Sequence, residues 1–68
     1  MMVENGIGDR IRERRKELKM NQETLAKMSN ISRERISAIE NGKCNNVLVS
    51  TLTSIATALD TTVEFFLT

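Results

Sequence analysis

The sequence predicts an all-α fold of five short helices, and three observations carry that expectation. Apolar residues recur at helical spacing, no Pro interrupts the pieces, and polar turn residues separate them at Asn21, Asn30, Asn41-Gly42, Asn45-Asn46 and Asp60. A strand would need alternation of period two, and Val47 to Val49 is too short a β-branched cluster to pair. At 68 residues, the chain is expected to form one domain over residues 1–68. A chain this short buries only about 60% of its unfolded surface and cannot support a second core.

The first helix is expected over about Ile7 to Lys19, where Ile7, Ile11 and Leu18 form the inner stripe beneath a heavily charged outer face. Asn21 can cap a second helix from Gln22 to about Met28, with Leu25 and Met28 pointing inward. Ser32 is a good N-cap for a third helix running to about Asn41. Ile36 and Ile39 supply its buried stripe, and Gly42 suits the left-handed residue that follows. Val49, Leu52, Ile55, Ala56 and Leu59 mark a fourth helix, capped by Ser50 or a neighbour and ending near Asp60. Thr62 to Leu67 completes the set with a last short helix.

Composition narrows the function. Phe65 and Phe66 are the only aromatics, so the core must be aliphatic, and pairing with a second copy would add burial that so small a domain lacks. The lone Cys44 has no partner for an internal disulfide. With no secretory h-region and no long apolar run, the expected compartment is the cytoplasm, with no membrane association. An enzyme is excluded on the same grounds: there is no His, no Gly-rich phosphate loop, and no cluster able to act as acid, base or nucleophile. No cofactor or metal is expected, because an isolated thiol without His makes no ligand set.

The net charge of +1 hides an asymmetry. All ten Lys and Arg lie in residues 1–43 beside seven acids, a local charge of +3, whereas residues 44–68 hold only Asp60 and Glu64. This leaves one basic face and one face free for another task.

The second and third helices are separated by only a few residues around Ser29-Asn30-Ile31, a connection short enough to make them cross steeply. Such a helix-turn-helix needs a residue tolerant of positive φ, a small residue where the helices touch, and an apolar residue under the corner. Asn30, Ala26 and Ile31 fill these roles in turn.

The stretch from Gln22-Glu-Thr-Leu-Ala through Ser32-Arg-Glu-Arg-Ile-Ser-Ala-Ile-Glu-Asn-Gly-Lys43 resembles the Cro and phage-repressor-like (XRE-type) family of transcriptional regulators. The resemblance extends to the basic first helix with Ile11, Arg15 and Leu18, and to the Leu52-x-x-Ile55-Ala56-x-x-Leu59 helix. It implies a compact five-helix, lambda-repressor-like DNA-binding domain that binds double-stranded operator DNA, usually as a two-fold homodimer. Three features depart from the family pattern. Asn30 stands at the turn position usually held by Gly, the segment from Lys43 to Ser50 is about one residue longer and lacks the usual Pro, and the overall positive charge is weak.

A major groove about 12 Å wide admits one helix, and the exposed N-terminal face of that helix meets the base edges. Here that face offers Arg33, Glu34, Ser37 and Ala38. Arg33 can donate to guanine O6 and N7; Glu34 can accept from cytosine N4 or instead orient Arg33 or Arg35. The resemblance places Gln22 at a phosphate, and Ser32, Arg35, Asn41 and Lys43 are further candidates for backbone contact. The family pattern also pairs Arg15 with Glu40 as a structural ion pair beneath the recognition helix. Val63, Phe65, Phe66 and Leu67 crowd more apolar surface into the C-terminus than one short helix can bury against its own domain, which marks a dimer interface. No small-molecule effector is expected. The size is also similar to that of the controller proteins of restriction-modification systems and of phage and mobile-element repressors. An antitoxin module of the same fold, masking a toxin partner, is the alternative, since fold does not fix function.

Overall fold

The computed structural model describes residues 4–44 and 47–67, so the expected break at Asn45-Asn46 lies outside the described residues. Five helices follow one another: α1 (Glu4–Glu17), α2 (Gln22–Ser29), α3 (Arg33–Glu40), α4 (Val49–Ala58) and α5 (Val63–Leu67). No strand occurs among the described residues.

Each of the first four helices stops by the same device. Lys19, Asn30, Gly42 and Asp60 adopt positive φ of 54°, 61°, 75° and 57°. The residue after each then donates its N–H back to the preceding helix: Met20 to Arg15 O at 3.0 Å, Ile31 to Ala26 O at 3.1 Å, Lys43 to Ala38 O at 2.9 Å and Thr61 to Ala56 O at 2.9 Å. These are Schellman closures, which satisfy carbonyls that a helix end otherwise leaves without donors. The closure at Lys19 ends α1 two residues earlier than the apolar spacing predicts, and it leaves Leu18 exposed instead of in the inner stripe.

Helix starts follow the caps only in part. Asn21 Oδ1 accepts from Thr24 N at 2.7 Å, and Ser32 Oγ accepts from Arg35 N at 3.1 Å. The start of α4 differs from expectation: Leu48 is the N-cap with no side-chain hydrogen bond, and Ser50 lies inside the first turn. Burial of Leu52, Ile55, Ala56 and Leu59 fixes the register of α4, and the helix extends one uncapped turn back from that stripe. Val49 therefore points outward at 70% exposure, against its predicted place in the stripe.

The core joins Ile11 of α1, Leu25 of α2, Ile36 and Ile39 of α3, four residues of α4, Leu59 and Phe66. Burying each Leu, Ile or Phe side chain contributes roughly 1.5–3 kcal/mol before entropy is charged against it. Met28, expected inside, is 57% exposed, because Leu25 and Ser29 take the inner face of α2. Helix α3 packs against both α1 and α2, and α5 closes against α1 and α4. Gly8 makes the α1–α3 approach possible: a Cβ there would collide with Ile39 O and stand 2.9 Å from Glu40 O.

Candidate nucleic-acid interface

Helix α3 is held from beneath by an ion pair. Arg15 donates from Nε to Glu40 Oε2 at 2.7 Å, from Nη2 to Glu40 Oε1 at 2.9 Å and from Nη1 to Met20 O at 2.8 Å. Its fork therefore ties the end of α3 to the end of α1. The hydrogen bond to Glu40 raises the Arg15 pKa above its ordinary value, an effect that burial partly offsets, so this side chain stays cationic. Gln22 Nε2 also donates to Glu40 Oε1, at 3.1 Å. Its side-chain donor is thus engaged inside the domain. The backbone N–H groups of Gln22 and Glu23, at the start of α2, meet no acceptor among the described residues.

Above this support the outer face of α3 and the first residue of α2 form an open groove of about 320 Å³. Arg33, Glu34, Ser37 and Ala38 of α3 line it together with Gln22, Asn41 and Lys43. The four residues expected to face bases and three of those expected at phosphates thus share one concave surface. Ser32 and Arg33 also border a second depression, over the turn, with Lys27, Asn30 and Ile31. Arg35 is exposed and borders neither. Arg33, Glu34, Arg35 and Lys43 form no ion pair or side-chain hydrogen bond among the described residues, which leaves their charged ends available.

The basic first helix is arranged otherwise. Arg12 donates from Nη2 to Glu40 O at 2.7 Å and to Asn41 Oδ1 at 3.1 Å. Arg14 donates to Leu59 O at 3.0 Å and Asp60 O at 3.3 Å. Arg10 reaches Phe65 O at 3.4 Å, with its guanidinium carbon 5.9 Å from the centroid of the Phe65 ring. Sequence reasoning missed these residues and Gly8. The arginines reach mostly backbone carbonyls far along the chain, and Gly8 meets two more, none of which local spacing announces.

The four C-terminal apolar residues divide. Phe66 is 1% exposed and closes the core, Val63 packs against it, and Phe65 and Leu67 remain at 37% and 50% exposure. The two Phe rings meet edge to face at 5.7 Å. Cys44 is a free, half-buried thiol. No group of side chains among the described residues could hold a metal, and no helix there is long and apolar enough to cross a membrane.

Comparison with known proteins places this geometry. The helix-turn-helix family pattern matches residues 11–66. An uncharacterized transcriptional regulator in the ATPase CF(0) region of Rhodospirillum rubrum is 38% identical over 64 residues; the match covers 94% of this chain but 58% of that protein. The restriction-modification controller protein C.AhdI from Aeromonas hydrophila superposes with a TM-score of 0.87 at 34% identity, covering 91% of this chain and 92% of its own. Hydroxypropylphosphonic acid epoxidase from S. wedmorenis also matches, with a TM-score of 0.86 at 26% identity, but only over 34% of its chain. The likeness to that enzyme is therefore to one part of it.

Proposed function

The chain belongs to the helix-turn-helix family of DNA-binding transcriptional regulators, and from that premise we propose that it reads a specific duplex by laying α3 in the major groove. The observation that carries this reading is the single groove in which Arg33, Glu34, Ser37 and Ala38 stand together, with no internal partner on the charged ends of Arg33 and Glu34. Arg33 reads guanine by bidentate donation, a contact worth about 1–3 kcal/mol of discrimination. The free N–H groups at the start of α2, with Ser32, Arg35, Asn41 and Lys43, hold the phosphate backbone and set the register.

The regulator acts in the cytoplasm as a homodimer on a two-fold operator, with the exposed Phe65 and Leu67 in the interface and two α3 helices about 34 Å apart. Occupancy is then set by protein concentration, without a small-molecule effector. The match to a controller protein over nine-tenths of both chains favours this reading over an antitoxin module.

Selection from a random duplex library tests the proposal. The expected product is an inverted repeat whose Arg33→Ala counterpart loses a guanine preference. No enrichment over bulk competitor at low ionic strength would refute it. Sedimentation showing only monomer at micromolar protein, with and without the selected duplex, would remove the dimer.

A further inference from the structure

A chain of donors and acceptors runs from α1 to the groove and occupies one lone pair of a hydroxyl there. Arg12 can only donate, so its 3.1 Å contact with Asn41 requires the amide oxygen Oδ1 on that side. The Asn41 amide nitrogen then faces α3, where Nδ2 donates to Ser37 Oγ at 3.4 Å. Ser37 thereby accepts. Two other helical hydroxyls behave differently: Ser29 Oγ donates to Leu25 O at 2.7 Å and Thr53 Oγ1 to Val49 O at 2.9 Å, each using its proton on its own helix. Among the described residues Ser37 makes no such bond, and it lines the groove.

We infer that Arg12, which lies outside the groove, is a positioning residue for base recognition: acting through Asn41, it holds the Ser37 hydroxyl as a donor toward the DNA. A serine can otherwise serve either donors or acceptors on a base edge. With one of its two lone pairs taken by Asn41 and its proton unspent, Ser37 is biased toward an edge that offers acceptors to it, guanine N7 and O6 or thymine O4, over the amino groups of cytosine and adenine. Arg12 itself touches no base. The inference rests on the reading of α3 as the recognition helix.

Duplex selection with the full chain separates the two claims, with thermal melting run beside it on every variant. Wild-type protein should yield a consensus in which Ser37→Ala relaxes one column. Arg12→Met should relax that same column and leave the column lost in Arg33→Ala intact. Asn41→Asp is the sharper variant. Its carboxylate still accepts from Arg12 but presents a second acceptor to Ser37, which turns the hydroxyl round and shifts the column toward cytosine or adenine. The added negative charge lowers affinity for every duplex but does not choose the base.

An unchanged column in both Arg12→Met and Asn41→Asp, where Ser37→Ala does relax it, would overturn the inference and leave the DNA-reading function standing. A column indifferent to Ser37→Ala would also overturn it. A wild-type protein that selects nothing would remove the function, and the inference with it. Should Arg12→Met melt too low to be assayed, Arg12→Gln takes its place, and an unchanged column there would overturn the inference.

Discussion

Replacing Glu40 by Ala should cost this domain a large share of its stability. The Glu40 side chain is 1% exposed and receives Arg15 at 2.7 and 2.9 Å, with Arg12 Nε at 3.7 Å and Gln22 at 3.1 Å. Removing it leaves the Arg15 guanidinium, itself nearly buried, with only Met20 O as a partner. Breaking a buried pair in this one-sided way costs about 3–5 kcal/mol, far above the 0–1 kcal/mol of a surface pair. A domain of this length has a total stability of roughly 3–10 kcal/mol. At about 4–8 °C per kcal/mol, the melting temperature should fall by at least about 12 °C. Far-UV circular dichroism reads this directly, and a midpoint within about 2 °C of wild type would refute the reasoning. The double replacement Arg15→Met with Glu40→Leu should be less destabilised than either single change, since an apolar pair leaves no charge stranded.

Three further outcomes follow from the same structure. Gly8→Ala should destabilise by at least about 1–3 kcal/mol despite Ala's better helix propensity, because the new Cβ meets backbone at Ile39 and Glu40 that cannot yield without parting α1 from α3. A raised melting temperature would contradict this. Lys19→Gly should stabilise by about 0.5–1 kcal/mol, since Lys19 holds φ at 54° in the open, where Gly carries no Cβ penalty. Chemical denaturation that shows a loss would count against strain at this closure. Finally, affinity for the selected duplex should fall with salt at a logarithmic slope of only about −2 per protomer, from phosphate contacts by Arg35 and Lys43. A slope several times steeper in fluorescence anisotropy would mean that the α1 arginines also meet the backbone.

Most of the architecture was legible because turn chemistry is local. Asn30 and Gly42 announce left-handed helix ends, Asp60 announces a helix end, and all three adopt positive φ. Lys19 supplies the fourth without any such signal, so the end of α1 and the exposure of Leu18 were misjudged. Val49 and Met28 were misplaced for a related reason: apolar spacing marks which residues could face inward, but only packing decides how much of a stripe is covered. The groove was readable in outline, since Ser32 fixes where α3 begins and hence which residues start its outer face. What the groove stands on was less readable. Arg12 and Arg14 bind carbonyls 28 and 45 residues away, and a backbone acceptor has no residue type to recognise.

Those arginines also change the meaning of the charge distribution. The excess of +3 in residues 1–43 suggests a basic face built largely on the first helix. Yet Arg12 sits at the C-terminal end of α3, Arg14 at that of α4, and Arg10 against a carbonyl of α5. Helix C-termini carry partial negative charge, so α1 fastens the ends of three other helices with its cations. A forked guanidinium can bridge two acceptors at fixed geometry, as Arg12 and Arg14 do, where a lysine would reach them as a mobile point charge. The charge left at the proposed DNA surface is then small: Arg33, Arg35 and Lys43 against Glu34. One such surface binds weakly at physiological salt, because non-specific phosphate attraction scales with the number of counterions released. Two surfaces on one duplex compensate through effective concentration without any new contact. On this reasoning the proposed dimer and the modest charge of α3 belong together, since a reader with few cations would gain its hold from a second copy.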